Sequence, residues 1–300
     1  MGGTYEGFVN APISDTIAVR AVGWYRRDGG YIDNIAGTRT YPTSGVEADN
    51  AALVKEDYND AETYGGRIAL GIDLDDSWTI TPSLMGQVQK TNGSYAQERG
   101  LKYEIIQYNP EGSNDKWWNA GLTIQGKLAN WDVTYAGGFL KRRTKVESDY
   151  SDYSYFYDAI SGYGAYFYDN DGDYVSPNQY IQGTDRYKKY FQEFRISSPS
   201  DKRLRVMAGL FWQRQSHNIE QNYIIDDIAD SITVTGTDSN IWLTQQQRTD
   251  RDQAAFGEVY FDVTDKLTLT GGIRAYKYKN SLEGFFGFSG GYSSKTGEAA

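Results

Sequence analysis

The sequence lacks the residues on which several classes of site depend. Its 300 residues include no cysteine and only one histidine, His217. The lack of cysteine excludes disulfide scaffolds, thiolate zinc sites and cysteine nucleophiles. A single histidine argues against a multi-histidine metal site and against a Ser-His-Asp centre.

Positive charge and long apolar runs are also scarce. Lys and Arg number 30 against 40 Asp and Glu, which gives a net charge of -10. This balance argues against a nucleic-acid partner, because the phosphate backbone requires a basic face. Mean hydropathy is -0.64, and no apolar run approaches the roughly 20 residues of a membrane-spanning helix.

The residues that are abundant favour β-structure. Tyr numbers 26 and Gly 33, whereas Pro numbers only 6, and aromatic residues make up 15% of the chain. Chains that are rich in Tyr and Gly and poor in Pro are typical of β-sheets. Such a sheet can lie in a membrane without a high mean hydropathy, because only alternate residues of each strand meet lipid.

Short and long connections alternate along the chain. Short polar turns join pairs of segments that have a two-residue period, near Ser14-Asp15, Asp75-Ser77, Ala129-Asn130, Pro199-Lys202 and Thr264-Lys266. Between the pairs lie long polar segments at about 29–59, 91–115, 146–184 and 219–247. This alternation is typical of an outer-membrane barrel, which has short periplasmic turns and long external loops.

The two-residue period predicts about ten antiparallel strands, each with two different faces. In the segment 204–213, one face carries Leu204, Val206, Ala208, Leu210 and Trp212. The predicted fold class is all-β: an antiparallel transmembrane β-barrel, here a partial and open sheet with unpaired edges near 4–11 and 267–280. No segment has a helical pattern, so no helix is predicted.

Aromatic positions distinguish a membrane barrel from a soluble sheet, which alternates in the same way. Trp78 and Trp131 directly follow short turns, whereas a second group lies near the long segments, namely Trp24, Tyr25, Trp117, Trp118 and Trp212. Rings at both ends of the strands are expected where a barrel crosses two membrane interfaces.

Three stretches resemble the barrel of a TonB-dependent outer-membrane receptor. The most specific is 255–274, AFGEVYFDVTDKLTLTGGIR, in which a Phe-Gly-Glu strand, a Thr-Asp-Lys-Leu turn and a Gly-Ile-Arg strand end follow one another. The second runs from Pro12 through the loop that begins at Tyr25, and the third runs from Gln192 to Trp212. The three stretches stand in the family's order and extend over nearly the whole chain.

The resemblance implies a transport receptor and not an enzyme. The external loops and the lumen of such receptors bind a scarce nutrient, most often a ferric siderophore. The TonB complex supplies the energy for its transport. The implied location is the outer membrane of a Gram-negative bacterium, in contact with lipid and lipopolysaccharide.

The chain is expected to be a fragment, a partial receptor-like barrel domain over residues 1–300. Receptors of this family have 22 strands and a plug domain, and this sequence resembles about the second to eleventh strands. Signal peptide, plug and C-terminal strands are absent from it, so contact with TonB is expected through an N-terminal region outside this chain.

The segment 146–184 is the best candidate for ligand contacts. It contains nine Tyr and seven acidic residues but no Lys or Arg. Tyrosine rings suit sugars, aromatic chelators or corrins, because each ring offers a flat surface and a hydroxyl. The lack of basic residues disfavours a strongly anionic ligand, and a loop that packs its rings on itself would have the same composition. The predicted contacts are Tyr153, Tyr155, Tyr157, Tyr163, Tyr166 and Tyr168.

Two further sets of residues are candidates for binding. Charged side chains on the predicted inner faces would point into the lumen, where they line the barrel or contact ligand: Arg20, Arg67, Arg205, Glu258 and Arg274. A second set, Asp169, Asp171 and Asp173, has the spacing that begins a calcium loop, with Gly172 at the turn. Position 180 is Tyr instead of the final Glu of such a loop, so a plain acidic loop is the simpler interpretation.

No arrangement of residues indicates catalysis or a resident cofactor. Asp226 and Asp227 are adjacent, so in a strand they would point apart, and His217 is expected at the surface. Two alternatives to the receptor stay open. One is a passive porin in the same membrane, and the other is a soluble carbohydrate-binding or glycosidase module that uses the Tyr-rich segment as a sugar platform.

Overall fold

Long β-strands make up most of the chain. The structure is a computed structural model and describes residues 1–289. The strands are β1 (Gly3–Ser14), β2 (Ile17–Asp28), β3 (Asp33–Asn34), β4 (Thr38–Thr40), β5 (Glu47–Asp49), β6 (Ala61–Asp75), β7 (Trp78–Asn92), β8 (Glu104–Ile105), β9 (Gly112–Leu128), β10 (Trp131–Asp149), β11 (Tyr180–Ser197), β12 (Leu204–Ile224), β13 (Asn240–Thr264) and β14 (Leu267–Gly287).

Ten of these strands form one antiparallel sheet in sequence order. Its order is β1-β2-β6-β7-β9-β10-β11-β12-β13-β14, so β1 and β14 are the open edges. The predicted fold class, strand number and edges are confirmed. The four long connections all leave the same end of the sheet, and we name them L1 (29–60), L2 (93–111), L3 (150–179) and L4 (225–239).

The register sorts side chains onto two chemically different faces. Leu210 is paired with Phe194 on one neighbouring strand and with Ala255 on the other, so these three share a face. This apolar face carries exposed side chains along the sheet, namely Ile68, Leu84, Leu122, Phe194, Leu210 and Ile273. Exposed apolar residues over so wide a surface match the lipid-facing side of a membrane barrel.

The opposite, polar face carries ion pairs between neighbouring strands. Arg205 Nη1 lies 2.5 Å from Asp262 Oδ2, and Arg142 Nη2 lies 2.6 Å from Asp115 Oδ2. Ile273 and Arg274 lie on opposite faces, as the two-residue period predicts, since Ile273 is paired with Gly257 and Arg274 with Phe256.

Strands extend much further toward the loops than the sequence indicated. The prediction ended one strand at residue 213, whereas β12 has 21 residues and β13 has 25. A barrel strand needs only about 9–11 residues to cross a bilayer. Apolar alternation therefore ends where lipid contact ends, while backbone pairing continues beyond it.

A helix in L3 corrects the prediction that the chain has none. Helix α1 (Ser151–Ser161) is followed by a 3-10 turn at Tyr163–Tyr166, and a second 3-10 turn lies at Ala51–Leu53. Helix α1 buries Ser151, Ser154 and Asp158, so its buried face is polar and gives no apolar pattern. Gly162 ends the helix at φ +68°, a left-handed conformation that glycine adopts without strain.

Within residues 1–289, no helix is both long enough and apolar enough to cross a membrane.

The assignment of faces predicts unequal effects of introduced charge on β12. Leu210→Lys places an ammonium on the apolar face and should lower the free energy of unfolding in lipid vesicles by about 2–4 kcal/mol. Gln213→Lys, on the polar face of the same strand, should change it by less than about 1 kcal/mol. Urea titration of the vesicle-embedded protein measures both, and equal losses would contradict the assignment.

Candidate functional site

The buried core of the molecule lies mainly in the long loops. L1 and L2 share a cluster of Ile32, Tyr58 and Ile105. L3 and L4, with the start of β13, share a second cluster of Phe167, Ile225, Ile228 and Ile241. A third cluster joins L1, L2 and L3 through Tyr41, Ala48, Tyr108 and the half-buried Tyr155. The loops are therefore packed on one another, and we call L1–L4 together the cap.

Buried asparagines pair the irregular backbone of the cap. Asn59 Oδ1 accepts hydrogen bonds from the amides of Tyr31 and Ile32, at 2.8 and 2.9 Å. Asn34 Oδ1 accepts one from the Gln107 amide at 2.8 Å, which ties L1 to L2. Because an amide side chain both donates and accepts, it can satisfy the loop groups that a regular ladder would otherwise pair.

Asp158 attaches helix α1 to its surroundings. Its carboxylate accepts hydrogen bonds from the Gly164 amide at 2.6 Å and from the Thr43 amide at 3.1 Å. The first bond closes the turn after the helix, and the second joins L3 to L1. The exposed fraction of Asp158 is only 2%, so these donors compensate for the burial of its charge.

Arg39 of L1 joins three loops. Its guanidinium lies over the rings of Tyr108 and Tyr155, with 4.5 and 4.7 Å to the two ring centroids. Its Nη2 also lies 2.5 Å from Asp152 Oδ1 in the first turn of α1. A planar guanidinium suits this position between two rings because it stacks and pairs at the same time.

An aromatic cleft lies between L3 and the adjoining parts of β12 and β13. Its volume is about 350 Å³, and the residues that line it are Tyr150, Tyr153, Tyr163, Gln179, Tyr223, Ile241, Trp242, Thr244 and Phe288. The rings of Tyr150 and Tyr153 are stacked with their centroids 4.7 Å apart. Tyr150 also meets Tyr223 edge-on at 5.9 Å.

The cleft offers uncharged polar groups on an aromatic surface. All the residues that line it lack a formal charge at neutral pH. Burial raises the pKa of both Tyr153 and Tyr163, and neighbouring phenols raise it further. The hydroxyls therefore stay protonated and can donate as well as accept hydrogen bonds. This chemistry suits a flat, neutral or weakly charged ligand group.

The six predicted tyrosines do not form a single site. Tyr153 and Tyr163 line the cleft, and Tyr157 lies beside it, with its ring centroid 4.6 Å from that of Tyr153. Tyr155 turns away from the cleft to Arg39 of L1. Tyr166 is exposed, and Tyr168 pairs with Tyr174 in a short bridge.

Several lining residues were missed because their contacts depend on long-range pairing. Tyr223 and Trp242 are direct cross-strand partners on β12 and β13. Both lie in a segment that the sequence assigned to a long loop. The signal that was available in the sequence is the presence of Tyr223 and Trp242 near the two ends of this segment. If the two strands continue beyond the membrane, these two rings become neighbours.

The three aspartates of the predicted calcium loop do not converge. The carboxylate of Asp169 accepts hydrogen bonds from the amides of Asp171 and Asp173, each at 2.9 Å. In the described part of the chain, no group of three or more His, Cys, Asp or Glu side chains is arranged to hold a metal ion. The carboxylate is used to close its own turn, so this geometry gives the calcium hypothesis no support.

The charged residues predicted for the lumen occupy the polar face. Arg20 is paired with Ala69, so it shares that face with Arg67, and Glu258 is paired with Met207, so it shares that face with Arg205. Arg274 lies 3.9 Å from Asp252 and also over the rings of Phe211 and Phe256. Glu258 accepts a hydrogen bond from the Tyr260 hydroxyl. Their function in the lumen stays a prediction.

His217 is half-buried and lies on the polar side of β12. Its Nε2 is 2.7 Å from Asp185 Oδ1, and its ring meets Tyr187 edge-on. It therefore forms a local pair and is not a free surface residue.

Solved structures of bacterial uptake receptors share this architecture. The ferric yersiniabactin uptake receptor FyuA of Yersinia pestis aligns with a TM-score of 0.69 and 13% identity, over 94% of this chain and 38% of that chain. The ferripyoverdine receptor of the outer membrane of Pseudomonas aeruginosa aligns with a TM-score of 0.61 and 13% identity, over 99% and 37%. The siderophore receptor PiuA of Acinetobacter baumannii gives 0.61 and 10% identity, over 100% and 42%.

This chain has the fold of part of a TonB-dependent receptor barrel. It spans about two-fifths of the length of these receptors. The resemblance stated from the sequence is confirmed at the level of the fold, and the predicted outer-membrane location agrees with that of the receptors. The sequence matches no family model and no curated protein.

The contacts of Arg39 predict that its loss opens the cap locally. Arg39→Ala removes both ring contacts and the partner of Asp152, so hydrogen exchange in 151–161 should report a free energy of local opening lower by about 2 kcal/mol. Asp152→Asn removes only an exposed ion pair and should cost less than about 1 kcal/mol. Equal protection of 151–161 in Arg39→Ala and the native protein would contradict this function of the guanidinium.

The burial of the Tyr58 phenol predicts that the cap becomes less stable at alkaline pH. Burial, together with the charge of Glu111, raises the pKa of Tyr58 to about 12. The folded state therefore retains a proton that the unfolded state loses near pH 10, so stability is intact below pH 10 and falls between pH 10 and 12. The loss should amount to about 2 kcal/mol.

Thermal unfolding of the detergent-folded protein at pH 9 to 12 measures this effect. Tyr58→Phe should flatten the alkaline decline, whereas Tyr166→Phe, which changes an exposed ring of L3, should leave it unchanged. An identical decline in the native protein and in Tyr58→Phe would show that another group causes it.

Proposed function

We propose that this chain, as one partial barrel domain over residues 1–300, belongs to an outer-membrane receptor that imports a ferric siderophore with energy from TonB. The observation that carries the proposal is the aromatic cleft in the loops of a fold that siderophore receptors share. In this proposal the cleft receives the ligand from outside, and the receptor makes or breaks no bond in it.

The chemistry of the cleft supports one class of siderophore over another. The cleft contains stacked rings and neutral hydroxyls without Lys or Arg. Phenolate or aromatic-ring chelates of low net charge can pack on such rings, whereas a polycarboxylate would lack a cationic partner. We therefore assign the ligand to aromatic chelates of low charge.

The apolar face argues against a soluble carbohydrate-binding module. Leu210 is 62% exposed and Ile273 is 78% exposed. A soluble sheet of this width would cover such side chains with a second layer, which the described residues do not supply. The charged residues of the polar face, Arg20, Arg67, Arg205, Glu258 and Arg274, would in this proposal line the lumen.

Uptake assays test the proposal. The gene product is produced from its native gene in cells without other iron-uptake receptors, and the cells receive radiolabelled ferric siderophores of the aromatic and the polycarboxylate class. We expect saturable uptake of an aromatic chelate that stops when TonB is removed. Uptake that continues without TonB would identify a passive porin instead.

Substitutions in the cleft test its part in binding. Tyr153→Ala combined with Trp242→Ala removes rings from two sides and should weaken surface binding of the imported chelate by about tenfold or more. Tyr166→Ala removes an exposed ring outside the cleft and is the matched control. Retention of heat-modifiable migration in gels verifies that each barrel is folded, and unchanged affinity in the double variant would refute the site.

A further inference from the structure

One buried side chain in the aromatic cleft has an unused hydrogen-bonding group. Gln179, the last residue of L3, lines the cleft and is only 2% exposed. Its Oε1 accepts a hydrogen bond from the Tyr163 hydroxyl at 3.4 Å. Within residues 1–289, its Nε2 has no hydrogen-bond partner. Because an unpaired buried donor costs free energy, an acceptor from outside the chain is expected at this point of the cleft.

Two hydrogen bonds to its carbonyl fix the backbone of Gln179. The amide of Tyr150 donates the first at 2.9 Å, and the side chain of Asn109, in L2, donates the second at 3.2 Å. Since Tyr150 follows β10 and Gln179 precedes β11, the first of these bonds extends the ladder between the two strands. The sheet therefore fixes the position from which the side chain of Gln179 reaches the cleft.

The contact with Tyr163 determines which end of the Gln179 amide is available to a ligand. Burial raises the pKa of the Tyr163 phenol, so its O–H stays protonated and donates to the amide oxygen. The amide nitrogen, which carries two N–H groups, is then the end of the side chain that remains for a molecule in the cleft.

The other polar side chains of the cleft differ from this amide. The indole Nε1 of Trp242 can also only donate, but it already donates to the Thr244 hydroxyl at 3.2 Å. The tyrosine hydroxyls can donate or accept, so they suit either kind of ligand group. Among the lining side chains that the structure describes, Gln179 therefore supplies the free group that only donates. Such a group favours ligand atoms that accept a hydrogen bond over ligand atoms that carry a proton.

We propose that Gln179 donates a hydrogen bond to a metal-bound phenolate oxygen of the ferric chelate and thereby favours the iron-loaded form over the iron-free form. A metal-bound phenolate has lost its proton, so it accepts a charge-assisted hydrogen bond, which is roughly twice as strong as a neutral one. In the iron-free form the same oxygen carries a proton, so it is a weaker acceptor and its O–H needs an acceptor of its own. The inference rests on the proposed function and adds to it a residue that distinguishes the two forms of the ligand.

A neutral probe and a near-isosteric substitution test the inference. The probe is the tripodal chelator made from tris(aminoethyl)amine and three salicylaldehyde units, whose ferric complex has three phenolate oxygens and no net charge. Gln179→Glu keeps an oxygen for Tyr163 but replaces the donor with an acceptor. Isothermal calorimetry on the full gene product in detergent measures the affinities for the ferric and the iron-free probe. We expect the native protein to bind the ferric form about tenfold more tightly, and Gln179→Glu to lose this preference.

Two further variants serve as a second test and a control. Gln179→Met has a similar length and no donor, so it should lose the preference as well. Gln182→Glu makes the same change three residues further on; Gln182 is paired with Asn222, the neighbour of Tyr223, and so lies on the opposite face of the sheet from the cleft. It should leave the ratio of the two affinities within about twofold of the native value. Heat-modifiable migration in gels verifies that each variant is folded.

The ratio of the two affinities separates recognition of the ligand from a loss of structure. Damage to the cleft would weaken binding of both forms by the same factor, so an unchanged ratio in the two Gln179 variants would overturn the proposal. Equal affinity of the native protein for the two forms, or no affinity for either, would also overturn it. TonB-dependent uptake of a ferric siderophore is measured separately, and its persistence in these cases would show that the inference fails while the proposed function stands.

Discussion

Backbone hydrogen bonding in a medium without water is the constraint on which this structure depends. Inside a bilayer every amide and carbonyl must find a partner in the protein, and an antiparallel ladder provides one for each. The ten-strand sheet meets this requirement between its edges β1 and β14. Once the ladder is fixed, the two-residue period decides what each side chain meets. Leu210 then lies on the same face of the sheet as its cross-strand partners Phe194 and Ala255.

Beyond the ladder, irregular segments must satisfy their backbone in another way, and this requirement explains the cap. Asn34 and Asn59 pair loop amides that no strand reaches. Arg39 connects L1 to L2 and L3 through two rings and one carboxylate. The same packing forms the aromatic cleft, because α1 brings Tyr153 toward the cross-strand pair of Tyr223 and Trp242. The proposed binding surface is thus a consequence of how the loops bury one another.

Local patterns in the sequence were sufficient for the sheet but not for the cap. Alternation along 204–213 and the short turns predicted strands, edges and faces, because each depends on near neighbours in the chain. Helix α1 was missed because the side chains on its buried side are polar, namely Ser151, Ser154 and Asp158. In the sequence, such residues cannot be told from those of a solvent-exposed surface. The separation of Tyr155 from Tyr153 depends on Arg39, more than a hundred residues away.

The central claim, that the apolar face meets lipid, has a direct test. Because the chain contains no cysteine, single cysteines at positions 204–213 can carry a fluorophore in the gene product reconstituted into vesicles of brominated lipid. Bromine quenches only fluorophores in contact with acyl chains. The account predicts strong quenching at 206, 208, 210 and 212 and weak quenching at 205, 207, 209, 211 and 213. Uniform quenching, or quenching with the opposite alternation, would contradict it.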